Sequence, residues 1–320
     1  MSDVLLHDEG AFLRQMQEGL EQLESRLRRG DVRERHATLF VLGLPRSGTT
    51  LLTQLIAGGL GVACTNNLVA RFWRTPLVGC RLSRIVLGDA GPSQFASNDG
   101  IGSEPASPHE FSWFWHRLIH MDTGHPSDYR PHEAAKRIDW DAVRLELVNI
   151  AAVFGRPVVY KPLELVGFHM RAFAECLPYS VFIYIERSSQ DVARSLAQGR
   201  LRHFNDLNTW WSSYPLEYSE LRSQPFATQI AGQVHYLREM YRRGLAALPQ
   251  SRVCVLQYED LCRQPRTALQ HIADVVRATS GEHLQLSGRV PEHLAPSRPT
   301  VSADIANALA EALAHYQTNP

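Results

Sequence analysis

Residues 43–50, Gly-Leu-Pro-Arg-Ser-Gly-Thr-Thr, carry the strongest chemical signal in this 320-residue chain. Gly43 and Gly48 stand at the spacing of the phosphate loop GxxxxGK followed by Ser or Thr, in which backbone N–H groups and a helix N-terminus surround a phosphate. Thr49, however, occupies the place of the lysine that serves a β,γ-phosphate in nucleotide triphosphatases, and the cation lies inside the loop instead, as Arg46. No strand-terminal aspartate for magnesium is evident: the run SVFIYIER ends in Glu186 and Arg187. Arg187 closes a strand pattern, and Ser195 follows eight residues on, in a helical pattern. An arginine and a hydroxyl so placed can converge on one phosphate, through a charge-assisted and a neutral hydrogen bond.

Elements of two kinds must hold these groups. Short β-rich runs at Ala37 to Leu42, Pro157 to Tyr160, Ser180 to Ile185 and Arg252 to Leu256 predict strands. Helical periodicity is expected from about Gly48 and near 131–154, 166–176, 189–200, 226–247 and 265–279. Strands alternating with helices predict an α/β fold, a mainly parallel central sheet with helices on both faces. No Pro/Gly linker divides the chain, so one domain is expected over 1–320. At its start, Phe12, Met16, Leu20, Leu23 and Leu27 recur at helical steps and predict an amphipathic N-terminal helix within 1–30. From 87 to 108 the chain is dense in Gly, Pro, Ser, Asn and Asp and reads as a loop, expected on the substrate side.

With these residues and their order in view, the chain resembles the PAPS-dependent sulfotransferases, bacterial-type members in particular. PRSGTTLL at 45–52 is similar to their 5′-phosphosulfate loop, and RSSQDVARS at 187–195 to their 3′-phosphate element. Tyr258-Glu259-Asp260-Leu261 resembles a segment near the family's C-terminal part, and Lys161-Pro162 the lysine that follows its middle strand. The matches cover roughly 38–270 and are loose over 66–150. Two departures stand out: Ser189 replaces a usual proline, and Cys64-Thr65-Asn66-Asn67 fills the place where the tyrosine-directed branch carries its catalytic glutamate.

The resemblance implies transfer of a sulfuryl group from PAPS to a hydroxyl or amine of a small molecule, lipid or glycan, leaving adenosine 3′,5′-bisphosphate. It implies donor-binding roles for Arg46, Ser47, Gly48, Thr49, Thr50, Arg187, Ser195 and Tyr258, and for Arg298 in a loop before the last helix. Arg46 and Lys161 would also stabilise charge on the leaving oxygen. The acceptor's proton requires a base, and the segment SPHEFSWFWH at 107–116 offers His109 and Glu110, both expected in the first turn of an aromatic helix, with Glu104 a third candidate. A phosphate-loop small-molecule kinase and a catalytically inactive nucleotide-binding relative are the competing readings.

Composition narrows the partners. The 33 Lys and Arg balance 33 Asp and Glu, which argues against a nucleic-acid partner or bulk attraction to an anionic membrane. No apolar run is long enough to span a bilayer, and MSDVLLHDEGAFLRQ has no leader character, so a cytoplasmic location is expected. Five scattered cysteines without a CxxC pair predict packed thiols. His116 and His120 lack the glutamate of HExxH, so no metal is expected. Trp210 and Trp211 are read either as pocket-lining or as packed between helices, and a homodimer stays open beside a monomer.

Overall fold

The computed structural model describes residues 8–89, 92, 95, 102–121 and 128–318. Five strands, β1 (Thr38–Gly43), β2 (Ala63–Cys64), β3 (Val158–Tyr160), β4 (Ser180–Glu186) and β5 (Val253–Gln257), form one sheet in the order β2-β3-β1-β4-β5. Every pairing is parallel, with Phe40 opposite Tyr160 and Phe182, and Ile183 opposite Cys254. All strands therefore end on the same side, and the chain passes from β3 to β4 across the central β1. In open parallel sheets such a crossing leaves a crevice at the C-terminal ends, where ligands bind.

The two faces of the sheet divide by residue type as well as by alternation. Leu39, Val41, Val159, Val181, Ile183 and Cys254 pack on one face against helices α2 (Thr49–Leu60) and α11 (Pro265–Ser280). Phe40, Leu42, Tyr160, Phe182 and Tyr184 face the opposite core, with Trp115 and Phe173 joining Phe40 at ring distances of 6.1 and 5.4 Å. That larger core takes in helices α4 (Ser112–Leu118), α5 (Trp140–Phe154), α6 (Met170–Cys176), α7 (Ser189–Phe204), α8 (Phe226–Ala246) and α12 (Ala303–Thr318). The remaining helices are α1 (Glu9–Leu27), α3 (Pro76–Leu87), α10 (Tyr258–Arg263) and the one-turn α9 (Gln250–Arg252), a 3₁₀ segment; other single turns are named by their residues. Buried strands with two apolar faces are what a parallel sheet covered on both sides requires.

Several expectations need correction. The pattern at 131–154 is two helices, Pro131–Ala135 and α5, because Asp139 caps Ala142 and starts a new helix. The pattern at 166–176 also breaks, into Glu164–Gly167 and α6. Of the loop expected at 87–108, residues 90–91, 93–94 and 96–101 lie outside the described residues. Helix α1 does not dock through all of its apolar stripe: Phe12 and Leu23 are exposed, whereas Gln17 and Glu24 are buried.

Glu24 accepts hydrogen bonds from Leu77 N (3.0 Å) and Val78 N (2.9 Å), so it caps the open N-terminus of α3 from another helix. Gln17 accepts from Arg74 N at 2.7 Å just before it. Helix N-termini leave their first N–H groups without intrahelical partners, and a carboxylate there also meets the helix dipole. Burial pushes the Glu24 carboxyl up, and the two backbone N–H groups act against that rise. Glu24→Ala is expected to cost about 1–2 kcal/mol of folding stability by denaturant melt. Leu23→Ala, on the exposed side, should change stability by less than about 0.5 kcal/mol.

Among the described residues no helix is long and apolar enough to cross a membrane. The five cysteines are free thiols, four of them buried.

Candidate active site

A cleft of about 310 Å³ opens at the C-terminal ends of β1, β3 and β4. Its floor is the loop that leaves β1. Gly43 and Gly48 are both held at positive φ (158° and 101°). A Cβ on Gly48 would stand 2.6 Å from the Tyr258 ring, so only glycine lets the loop pass between Tyr258 and the helix start. Arg46, at φ 69°, takes the left-handed conformation without being glycine. Gly48, which precedes α2, has no side chain to cap the helix start, and a helix N-terminus so built directs its first N–H groups toward an anion. Ser47 Oγ is buried with no hydrogen-bond partner among the described residues. Groups so arranged can cradle an anion.

Cations surround the cradle from three elements. Lys161, the first residue beyond β3, is 2% exposed, and its Nζ donates to Thr50 Oγ1 at 2.8 Å. Parallel pairing of β1 with β3 makes this possible, since both strands end beside the loop. The ammonium missing from Thr49 is thus supplied by the neighbouring strand. Arg46 Nε donates to Ser195 Oγ at 3.0 Å, and the guanidinium lies 5.6 Å from the Trp211 ring centre.

Arg187, just after β4, stacks on Tyr258 at 4.3 Å. Its Nη1 donates to Arg46 O at 2.9 Å, its Nη2 to Ser297 O, and its buried Nε has no acceptor among the described residues. Tyr258 OH in turn accepts from Ser297 N at 2.9 Å, fixing the 295–297 segment over the cleft. Arg298 follows Ser297 but is exposed and does not line the cleft.

The turn after β4 lacks the proline expected there, and Arg238 takes over that role. Arg238 donates from Nη2 to Arg187 O at 2.9 Å and from Nη1 to Ser189 Oγ, tying both sides of the turn to α8. Trp211 packs against Gly199 on α7, where any Cβ would strike the indole, and its ring centre lies 4.9 Å from that of His203. Trp210 instead packs on Arg200 and Tyr214. The two tryptophans therefore part, one at the cleft and one in a packed aromatic group.

The three base candidates separate in space. Glu110 lines the cleft, and its Oε1 lies 3.1 Å from Lys161 Nζ. His109 lines a different cavity, beside Trp113 and α1, and Glu104 lines neither the cleft nor the cavity next to it. His109 Nδ1 accepts the Phe111 N–H at 2.8 Å, and burial lowers its pKa.

Neither His109 nor Glu110 is in a helix, contrary to expectation. Pro108 bridges Asn66, His109 N donates to Thr65 O at 2.8 Å, and Phe111 at φ 58° turns the chain into α4 only afterwards. The Cys64 to Asn67 segment therefore serves as the backbone clamp that presents Glu110.

A second cavity of about 210 Å³ shares Glu110, Leu163 and Ser212 with the cleft. Its walls include Glu164, which the sequence did not single out. Among the described residues no group of three or more His, Cys, Asp or Glu is arranged to hold a metal ion.

A profile of the Sulfotransferase family matches residues 38–278. The chain belongs to the sulfotransferase family. No curated protein sequence matches. Among solved structures, sulfotransferase STF1 from Mycobacterium tuberculosis aligns over 94% of this chain and 78% of its own, at 17% identity and a TM-score of 0.50. Sulfotransferase STF9 from Mycobacterium avium aligns over 88% and 69%, at 14% identity and a TM-score of 0.49. At such identity the first likeness bears on the fold, which is that of a sulfotransferase. The family profile carries the assignment of transferase chemistry.

Proposed function

We propose that this sulfotransferase uses PAPS as its donor and passes the sulfuryl group in line to a hydroxyl or amine, without a metal. One observation carries the reading: Lys161 Nζ stands between Thr50 Oγ1 of the phosphate cradle and the Glu110 carboxylate, where the two cavities meet. In the displacement, the bond from sulfur to the bridging phosphate oxygen breaks as the bond from the acceptor oxygen or nitrogen to sulfur forms. The electron pair goes to the departing 5′-phosphate. As in phosphoryl transfer through a loose transition state, positioning and charge stabilisation do most of the catalysis.

Lys161, Arg46 and the backbone N–H groups at the start of α2 are assigned to the oxygen on which charge develops. Glu110 takes the acceptor's proton on a carboxylate oxygen. The cradle suits the donor's anionic end, given the buried unpartnered Ser47 Oγ and the uncapped helix start. Arg187, its Nε still unpartnered, and Ser195 are assigned to the 3′-phosphate, with Tyr258 holding the Arg187 plane. His109 is left a positioning role, since accepting a proton at Nδ1 would break its bond to Phe111.

Transfer of labelled sulfuryl from PAPS into fractionated small molecules, lipids and glycans tests the activity. The 3′-phosphate assignment has its own test, in calorimetry of Arg187→Ala. Affinity for adenosine 3′,5′-bisphosphate is expected to fall by about tenfold to a hundredfold, as for loss of a charge-assisted hydrogen bond. Affinity for adenosine 5′-phosphate should change by less than about threefold on the same argument. Equal losses for the two ligands would sink the assignment.

A further inference from the structure

We propose that the 210 Å³ cavity behind Glu110 is an acceptor pocket that selects a small alcohol bearing a cationic or neutral hydrogen-bond donor, held by Glu164, and rejects anionic acceptors. The inference rests on the transferase reading above and adds the acceptor's chemistry to it.

Position comes first. The cavity adjoins the donor cleft, and Glu110, Leu163 and Ser212 line both. A hydroxyl emerging at that boundary meets the base on one side and the donor on the other. The chain is bent to build it: Leu163 (φ 50°) and Ser212 (φ 68°) both hold left-handed backbone without being glycine. Such conformations cost energy and persist where surrounding structure enforces them, commonly at ligand sites. The bend at Leu163 makes adjacent residues serve different cavities, with Lys161 reaching the cradle and Glu164 the pocket.

Size and charge then define the ligand. A volume of about 210 Å³ falls below the ~300–1,000 Å³ of pockets for drug-sized molecules, so one ring or a short chain fills it. Leu165, Phe168 and Met121 offer that ring an apolar wall. The ionisable residues among the described lining are Glu110, His116, Glu164 and Tyr214, and none is lysine or arginine. Lys161 is directed to Thr50 and Glu110.

Glu164 receives the Tyr214 N–H at 3.2 Å. Burial raises its pKa to about 7, the nearby Glu110 charge adding to the rise while the Tyr214 N–H opposes it. Above that pKa a ligand ammonium would pair with the desolvated carboxylate, whereas a ligand carboxylate would add a third like charge to those of Glu110 and Glu164.

The test compares para-aminomethyl, para-methyl and para-carboxy benzyl alcohol by calorimetry at about pH 8, where Glu164 is mostly ionised, with and without saturating adenosine 3′,5′-bisphosphate. The aminomethyl compound is expected to bind about tenfold tighter than the methyl one, and the carboxy compound on the order of a hundredfold weaker than the aminomethyl one. Glu164→Gln should shrink the aminomethyl advantage to within about twofold while bisphosphate affinity is kept. Glu164→Asp, which keeps the charge, should preserve the order. Tight binding of the carboxy compound, an unchanged order in Glu164→Gln, or no binding of any of the three would overturn the proposal. Failure of the donor reading looks different: the bisphosphate would not bind while the charge order remained.

Discussion

Replacing Lys161 with alanine is expected to lower the turnover of sulfuryl transfer by about 10²–10³-fold, the usual cost of removing one preorganised donor from developing charge. Its ammonium is 2% exposed and sits 2.8 Å from Thr50 Oγ1, at the N-terminus of α2 where the departing phosphate oxygen would lie. A charge held in so dry a place acts with little screening and needs no reorganisation as the bond breaks. The loss should appear in kcat, with KM for the donor changed by less than about tenfold, since Arg46, the backbone N–H groups and Arg187 still bind the ground state. Steady-state kinetics with any acceptor the unmodified chain uses gives the split. A rise in KM at unchanged kcat would reduce Lys161 to a binding group.

The second large effect belongs to Glu110. Glu110→Gln keeps size and can still accept from Lys161, but it cannot take a proton, and turnover is expected to fall about 10²–10⁴-fold. A loss confined to kcat, with donor affinity kept, separates a base from an ion-pair partner, because glutamine still accepts from Lys161. His109→Gln provides the control. It should lose far less, since a glutamine can still accept the Phe111 N–H that His109 Nδ1 accepts at 2.8 Å. A large loss in His109→Gln beside a small one in Glu110→Gln would move the base to the histidine.

Much of this arrangement is legible in the sequence, and the rest has physical reasons for escaping it. Strands such as SVFIYIE stand out because both of their faces are buried, which forces an unbroken apolar run. β2, only Ala63–Cys64, carries no such run. The loop, Arg187 and Ser195 are readable because strand ends and loop glycines impose spacing on them, and Lys161 through the family resemblance. Their partners are not. Arg238 reaches the β4 turn from mid-α8, and Trp211 meets Arg46 across a packing contact with Gly199, so neither lies at a fixed offset.

Glu164 looks like any helix-start glutamate until the left-handed Leu163 aims it into a cavity. Helical periodicity extends too far back over His109 and Glu110, because the clamp by Thr65 and Asn66 is a contact with a distant segment. The docking of α1 through Gln17 and Glu24 escapes for a related reason: apolar periodicity marks Phe12 and Leu23, which stay in solvent.

The zero net charge of the chain takes on a sharper meaning beside the site. Bulk charge attracts polyanions, but a single anionic nucleotide can be gripped by Arg46, Lys161 and Arg187 with backbone N–H groups. In the proposed reaction cations gather where the donor's phosphates would bind, and carboxylates where a proton would leave.

Calorimetry on the purified chain tests directly whether the donor site is built for a 3′-phosphorylated adenine nucleotide. Adenosine 3′,5′-bisphosphate should bind tightly, with the same affinity in magnesium and in a chelator, and far more tightly than ATP with magnesium. Preference for magnesium ATP over the bisphosphate would contradict it and point to a kinase instead.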